Sequence, residues 1–214
     1  MNLKTLIAAT CIILPGIAEA QKTNTYNPTE TFSPTFYTYP GNDVRTAEGR
    51  PGKSYWHNRA DYQINATLDT LKQSIQASAT ITYTNNSPNP LSTLWLHLDQ
   101  QIYREDARAK LTGAGYSFKE STTGNTLKSV DILKNGKRIK AEYLINDTRM
   151  QIRLPQALEG DGAKVQIEFI YQYTIPGAFG NRTDFVNTAN GKIYEIAQWY
   201  PRMCVYDENR GWDT

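Results

Sequence analysis

The chain has 214 residues, and its 23 Lys and Arg against 21 Asp and Glu give a formal net charge of +2. Such a weak, scattered charge argues against a nucleic-acid-binding protein, which needs basic residues clustered on one face. Outside the N-terminal leader described next, Cys204 is the only cysteine. The mature chain therefore has no internal disulfide, and its fold must depend on an apolar core.

The first twenty residues have the pattern of a secretory signal peptide. Lys4 supplies a positive charge, residues 6–14 form a short apolar run, and residues 18–20 (Ala-Glu-Ala) offer the small side chains that a signal peptidase requires. The run is shorter than the roughly 20 residues of a membrane-spanning helix. We therefore expect cleavage before Gln21, export to the periplasm or the extracellular space, and a mature chain without a membrane anchor.

Residues 21–53 are rich in Thr, Pro, Tyr and Asn, and their prolines interrupt any regular element. Few aliphatic side chains occur there, so the segment can bury little surface. Two interpretations remain for this Thr/Pro/Tyr-rich arm. It is either an extended arm that lies on the following domain, which its Tyr and Phe residues favour, or a disordered lead-in.

From residue 54 onward, apolar and polar side chains alternate with the period of two that half-buried strands show. The dipeptide Asn135-Gly136 separates two such runs, and because it tolerates positive φ angles it predicts a tight hairpin. Residues 101–110 contain good helix formers and predict at most one short helix. The predicted strands cover residues 62–68, 75–83, 94–98, 130–133, 139–144, 150–154, 165–173 and 193–200.

About seven or eight strands separated by turn residues predict an all-β domain over residues 54–214. The expected architecture is an antiparallel saddle-like sheet or β-sandwich. Residues 199–214 concentrate aromatic and apolar side chains in a patch that something must cover. Either these residues fold back on the sheet or the covering part is missing, and we expect the domain to be incomplete at its C-terminus.

The sequence lacks the usual patterns of catalytic and metal-binding residues. His57 and His97 are the only histidines, and HExxH, CxxC and GxSxG do not occur. The spacing of the two histidines and Cys204 matches no known ligand pattern. His97 alternates with leucines and is expected to face outward, and Cys204 is expected to be a packed thiol. We expect no catalytic residue, no metal site and no cofactor in this chain.

Four segments together carry a resemblance to a known family: residues 49–62 (GRPGKSYWHNRADY), 83–88 (YTNNSP), 94–100 (LWLHLDQ) and 194–207 (YEIAQWYPRMCVYD). In this order they resemble the N-terminal domain of secreted bacterial zinc metallopeptidases of the aminopeptidase N (membrane alanyl aminopeptidase) family. The resemblance extends from about residue 46 to residue 214. None of the four segments is catalytic.

The resemblance implies a saddle-shaped β domain that packs on a thermolysin-like catalytic domain later in the chain. In the family that catalytic domain holds zinc through HExxH and a later Glu, and the Glu of the motif is the general base. These residues are absent from the sequence, so the resemblance implies a non-catalytic fragment. Such a fragment would brace the missing C-terminal catalytic domain and form part of the wall of the peptide-binding cleft, with zinc and the peptide substrate bound by the parent enzyme.

The resemblance also implies one substrate-binding loop. Glu195 or Gln198, followed by Arg202 and Asp207, resembles a family loop that reaches towards the amino end of the substrate. The alternative is that Gln198 and Arg202 merely fasten the last segment to the sheet. Two other functions also remain open for the chain: a stand-alone secreted β-sandwich that binds a ligand or a cell surface, and a scaffold relative that has lost the zinc site.

Overall fold

A computed structural model describes residues 40–113, 121–134, 136–177 and 182–214. Over these ranges the protein is all-β with antiparallel ladders, which confirms the predicted fold class. The predicted signal peptide and residues 21–39 of the predicted arm lie outside the described residues. No helix in the described ranges is long and apolar enough to cross a membrane.

The described residues form thirteen strands, more than the seven or eight that alternation predicts. The difference comes mainly from the last part of the chain, where strands of two or three residues are too short to show a period of two. In chain order the strands are β1 (Arg59–Asp69), β2 (Ser74–Asn85), β3 (Leu91–His97), β4 (Thr126–Lys134), β5 (Lys137–Lys140), β6 (Glu142–Asn146), β7 (Arg149–Leu158), β8 (Ala163–Thr174), β9 (Thr183–Thr188), β10 (Gly191–Ile196), β11 (Arg202–Met203), β12 (Val205–Asp207) and β13 (Gly211–Asp213).

Two main sheets share one apolar core. The larger sheet has the strand order β1-β2-β8-β4-β5, and the smaller has the order β11-β3-β7-β6. Two separate hairpins, β9–β10 and β12–β13, pack beside them. Alternate residues of the central strands point inward, so each sheet buries one apolar face against the other. The fully buried core side chains include Ile81, Ile167 and Phe169 from the larger sheet, and Leu94, Leu96, Met150 and Ile152 from the smaller.

The chain passes from one sheet to the other within the segment predicted as a single strand over residues 139–144. The predicted hairpin is present, because Lys134 pairs with Lys137 and Gly136 has φ +73°; Asn135 lies outside the described residues. β5 ends at Lys140, and the next residue, Ala141, is buried between the sheets. β6 then pairs with β7 in the smaller sheet. Alternation alone gave no sign of this switch.

The aromatic residues near the C-terminus fold back on the domain, which is the first of the two alternatives that the sequence left open. Tyr200 packs edge-on against Tyr62 of β1, with the ring centroids 5.4 Å apart. Tyr206 stacks on Trp56 at 5.8 Å, and Trp212 lies 5.9 Å from Tyr83. These contacts bury part of the apolar surface that the sequence concentrates in residues 199–214.

Residues 40–53 form successive turns against the C-terminal segment. The backbone of Arg45 forms an isolated antiparallel β-bridge with Pro51, and the Arg45 guanidinium forms an ion pair with Glu208. Between β3 and β4 lie a 3-10 helix, Asp99–Tyr103, and a short α-helix, α1 (Arg108–Leu111). Together they occupy the region of the predicted short helix.

Two isoleucines on opposite faces of β8 test the position of the core. Ile167 is fully buried, whereas Ile170 is 45% exposed. We expect Ile167→Ala to lower the free energy of unfolding by about 2–5 kcal/mol, because it removes buried methyl groups and leaves a cavity. Ile170→Ala makes the same chemical change on the exposed face and should cost less than about 1 kcal/mol. Urea denaturation measures the free energy of unfolding of both variants. An equal loss of stability in the two variants would contradict this position of the core.

Candidate functional site

The residues that the sequence singles out for substrate binding lie in and beside one loop. This loop, residues 197–202, connects β10 of a hairpin to β11 at the edge of the smaller sheet. Glu195 lies on β10 just before the loop, Gln198 lies within it, and Arg202 is its last residue and the first of β11. The sequence therefore places three predicted side chains on one short stretch, and the contacts below show what holds each of them.

Hydrogen bonds from neighbouring side chains fix the backbone at the start of the loop. The Gln100 side-chain amide donates from Nε2 to the carbonyl oxygens of Ala197 (3.0 Å) and Gln198 (3.2 Å). The Thr183 hydroxyl also donates to the Ala197 carbonyl, at 3.1 Å. Gln100 and Thr183 are both 2% exposed. Since buried side chains hold consecutive carbonyl groups, this part of the loop has a fixed position on the sheet.

Gln198 combines a fixed backbone with an exposed side chain. Its φ angle is +50°, a left-handed conformation that costs a non-glycine residue about 1–3 kcal/mol and persists only where the surroundings enforce it. The side chain is exposed to solvent. Residues in such conformations cluster at binding sites, so Gln198 is well placed to bind a ligand from a rigid backbone.

Glu195 lies opposite a second carboxylate that the sequence did not single out. Glu195 pairs with Asp184 across the β9–β10 hairpin, so the two side chains share one face of it. Glu195 is exposed and Asp184 is half-buried. Like charges directly opposite each other are unfavourable for folding. Arg182 lies two residues before Asp184, and both act on the Tyr103 hydroxyl, so the two carboxylates and this guanidinium leave one net negative charge at this end of the hairpin.

Arg202 is occupied by an ion pair with Asp99. Its guanidinium donates two hydrogen bonds to the Asp99 carboxylate, at 2.9 and 3.1 Å, and the two side chains are 34% and 22% exposed. The hydrogen bond to Asp99 raises the pKa of Arg202 further above its ordinary value. This pair of hydrogen bonds fastens β11 to the residues after β3. Asp207, the last residue of the predicted pattern, accepts backbone N–H bonds from Asn209 and Arg210 within a turn.

His97 lies between two arginines on the outer face of the smaller sheet. It pairs with Arg202 of β11 on one side and Arg149 of β7 on the other, on the face opposite to buried Leu94 and Leu96. This agrees with the outward orientation expected from the sequence. Burial, followed by the charge of Arg202, lowers the pKa of His97. Arg149 lowers this pKa as well, while Asp99 and Asp213 raise it.

Aromatic rings and a buried thiol support the other side of the loop. Trp199 and Tyr200 pack edge to face at 5.3 Å, and the backbone N–H of Met203 donates to the Tyr62 hydroxyl at 2.9 Å. Cys204 is 4% exposed, and burial raises the pKa of its thiol to about 11. A thiol in this environment is protonated at neutral pH and is a packing group rather than a nucleophile.

The described residues do not fit a zinc ion. Nowhere in the described ranges do three His, Cys, Asp or Glu side chains come together closely enough to hold a metal. Zinc needs three or four such ligands. We therefore assign no step of any reaction to a metal on this chain.

Sequence reasoning missed the residues that hold the loop. Asp99 and Gln100 lie just after β3, yet the sequence gives no sign that they contact residues about one hundred positions later. The available signal was their place at the end of the segment 94–100, where an acidic residue and an amide follow a strand directly. Polar residues at strand ends often carry or support a site.

Comparison with known proteins gives only coarse similarities. The sequence matches no protein-family model and no curated protein. A mutant M1 zinc metallopeptidase from Deinococcus radiodurans bound to a Tyr-Ser-Ala substrate has 16% identity and a TM-score of 0.37, covering 59% of this chain and 22% of its own. An M1 zinc metallopeptidase structure from the same organism has 17% identity and a TM-score of 0.35, covering 54% and 20%. A mutant two-domain M1 zinc metallopeptidase bound to L-arginine has 17% identity and a TM-score of 0.35, covering 54% and 21%.

The chain thus spans about a fifth of the length of these structures. Similarity of this extent is a coarse match in fold and does not establish a family.

A double-mutant cycle tests whether Arg202 and Asp99 hold the loop together. We expect a coupling energy of about 1–2 kcal/mol between Arg202→Ala and Asp99→Ala in the free energy of unfolding, because two hydrogen bonds join the side chains and the pair is partly buried. Arg153 and Glu142 form a matched but exposed pair at 3.2 Å, for which we expect less than about 0.5 kcal/mol. Chemical denaturation of the four variants of each cycle measures the coupling, and equal values for the two pairs would contradict the structural role of Arg202.

The environment of His97 predicts a dependence of stability on pH. Its pKa is lower in the folded state than the ordinary value of about 6.5, so the unfolded chain binds more protons once the pH falls below that value. Stability should be constant above about pH 7.5 and should fall as the pH decreases through 6.5 towards the folded-state pKa of His97. Denaturation at several pH values between 7.5 and 5.5 measures the slope. The slope should disappear in His97→Gln and persist in His57→Gln; a slope retained in His97→Gln would contradict this assignment.

Proposed function

We propose that this chain is the non-catalytic N-terminal domain of a secreted zinc metallopeptidase of the aminopeptidase N type. Its 197–202 loop would form part of the wall of the peptide-binding cleft. The observation that carries the proposal is Gln198, whose exposed side chain stands on a backbone held at φ +50° next to a carbonyl group bonded to buried Gln100. A fixed loop on a rigid sheet that exposes a polar side chain is a common form of binding residue.

Contacts among the family-like segments support the proposal. Segment 94–100 supplies Asp99 and Gln100, which hold the loop of segment 194–207. Segment 49–62 supplies Tyr62, whose hydroxyl accepts the Met203 N–H. Three segments that resemble the family in sequence are therefore in contact around one loop, whereas a chance resemblance would not require them to meet.

The chemistry of the loop suits the amino end of a peptide. The carboxylates of Glu195 and Asp184 attract a protonated amine, and the carboxamide of Gln198 offers an oxygen that can accept its hydrogen bonds. These groups bind and orient a substrate but perform no bond cleavage. In the proposal, the zinc ion and the general base belong to a catalytic domain, and the mature chain is exported after cleavage before Gln21.

The first test is to read the coding DNA beyond the codon for Thr214. The proposal predicts an open reading frame that encodes HExxH and a later Glu. A frame with these residues replaced would instead support the scaffold relative that has lost its zinc site. An immediate stop codon would contradict the proposal and favour the stand-alone binding module.

The second test uses the enzyme encoded by the complete reading frame. We expect Gln198→Ala to raise the KM for an aminoacyl p-nitroanilide about tenfold with little change in kcat, because one hydrogen bond to a charged group is worth about 1.5–3 kcal/mol. Gln63→Ala removes an exposed glutamine from β1 and should leave KM unchanged. If both variants have the KM of the wild type, the proposed role of the loop is contradicted. This outcome is independent of the domain assignment, which the reading frame tests.

A further inference from the structure

β1 is a long edge strand of the larger sheet. It pairs with β2 through eleven consecutive residue pairs without a shift in register. It stands at the end of the strand order β1-β2-β8-β4-β5, and no described strand pairs with its other edge. That edge presents a row of backbone N–H and C=O groups to which another extended strand can pair.

The opposite edges of the two sheets are shorter and more strongly charged. β5, at the other edge of the larger sheet, has only four residues, and three of them are Lys or Arg. β6, an edge of the smaller sheet, has five residues. Short strands and lysines are devices by which proteins prevent pairing between edges. β1 has eleven residues without proline, lysine or a bulge, which makes it the longest open edge of the two main sheets over the described residues.

The two faces of β1 differ in polarity. Every second residue is apolar and lies on the core side: Ala60, Tyr62, Ile64, Ala66 and Leu68. The first three pack partly against the core, whereas Ala66 and Leu68 are exposed. The residues between them are all polar or charged. A neighbouring strand with the same alternation would therefore cover the exposed half of the apolar face.

The sequence of β1 is complementary to itself when two copies run antiparallel about a two-fold axis at Ile64. All eleven residues are then paired, and apolar side chains lie opposite apolar ones. Arg59 of each copy lies opposite Asp69 of the other, so opposite charges meet at both ends of the paired strands. A shift of one residue would place polar side chains opposite apolar ones. A shift of two residues either leaves Asp69 without a partner or places it opposite Asp61, which has the same charge.

The two charged groups at the ends are accessible. The Arg59 side chain is 69% exposed and contacts Asp61 of its own strand. The Asp69 side chain is 28% exposed; its Oδ1 accepts two backbone N–H groups, while its Oδ2 has only a 3.8 Å contact with the exposed Lys72. Asp69 therefore keeps an oxygen with which a second arginine can pair.

We propose that two copies of this chain associate through antiparallel pairing of β1 with β1 about a two-fold axis at Ile64. The pairing joins the two five-stranded sheets into one continuous sheet. A second copy is the partner because the register that pairs every residue also pairs the opposite charges, and the same surface serves both subunits, as a two-fold interface requires. The proposal does not depend on the proposed function.

A cysteine at the two-fold axis tests the register. Directly opposite residues of antiparallel strands have Cα atoms about 4.5–5.5 Å apart, a distance that a disulfide can span. We expect Ile64→Cys to form a disulfide-linked dimer on mild oxidation of the purified protein. Leu68→Cys is the matched control, because it lies on the same face and is more exposed, yet its two copies would be roughly 26 Å apart along the strands. The wild type should remain unlinked, since its Cys204 is buried.

Analytical ultracentrifugation measures the association without a cross-link. We expect a concentration-dependent equilibrium between monomer and dimer for the wild type. Arg59→Asp places like charges opposite each other at both ends, and Ala66→Lys places an ammonium group opposite Tyr62 of the second copy. Each change occurs twice in the dimer, so each should weaken dimerisation about tenfold. Arg50→Asp makes the first charge change at another exposed arginine, which also contacts a carboxylate of its own segment, and should leave dimerisation unchanged.

The changed side chains lie at the surface or at the edge of the sheet, and melting temperatures show that each variant is folded. A wild-type protein that stays monomeric at about 100 μM would overturn the proposal. Equal cross-linking of Ile64→Cys and Leu68→Cys, or equal dimerisation of Arg59→Asp and Arg50→Asp, would also overturn it, because the dimer would then use another register or another surface.

Discussion

The described domain depends on the apolar layer between the two sheets. Without an internal disulfide in the described residues, where Cys204 is a free, buried thiol, the burial of aliphatic and aromatic side chains from β2, β8, β3 and β7 is the main source of stability. The strands that supply most of this layer are long, with twelve residues each in β2 and β8. The C-terminal aromatic residues add a second layer against β1 and β2, so the last part of the chain is held by packing as well as by the short pairings of β11 with β3 and of β12 with β13.

The candidate loop is an extension of this core. β3 ends at His97, and the residues that follow it turn two polar side chains towards the loop: Asp99 engages Arg202, and Gln100 holds the carbonyl groups at 197 and 198. The arrangement has a cost, because the Gln100 side-chain oxygen is buried without a hydrogen-bond partner among the described residues. Leaving such a group unpaired costs about 1–3 kcal/mol. The buried Gln100 amide and the left-handed backbone of Gln198 both lower the stability of the fold. Both also fix the position of the loop.

Alternation predicted the parts of the fold in which one face of a strand is buried along its whole length. β2 and β8 show it most clearly, and the outward orientation of His97 follows from the same rule. Alternation could not predict the passage between sheets at Ala141, because the inward and outward pattern continues through it. The strand predicted over residues 150–154 stops before Pro155, whereas β7 continues to Leu158. A proline is tolerated where a strand leaves its ladder, and the sequence does not show where that happens. In the candidate site, Gln198 and Glu195 were proposed through resemblance alone. Asp99 depends on a contact between distant segments, and Asp184 depends on the register of a hairpin whose first strand the sequence did not predict.

Irregularities lie at both ends of β3. The 197–202 loop is tied to the end of β3 through the pair of His97 with Arg202. At the other end of β3 the pairing with β7 shifts, so that residues 154–157 of β7 face only Ser92. Six residue steps of extended strand separate these ends, a distance of roughly 20 Å. Changes more than 7–10 Å apart without shared partners usually act additively on stability. Changes at the shifted pairing and changes at the loop should therefore act independently on stability unless β3 itself moves, and its fully buried Leu94 and Leu96 oppose such movement.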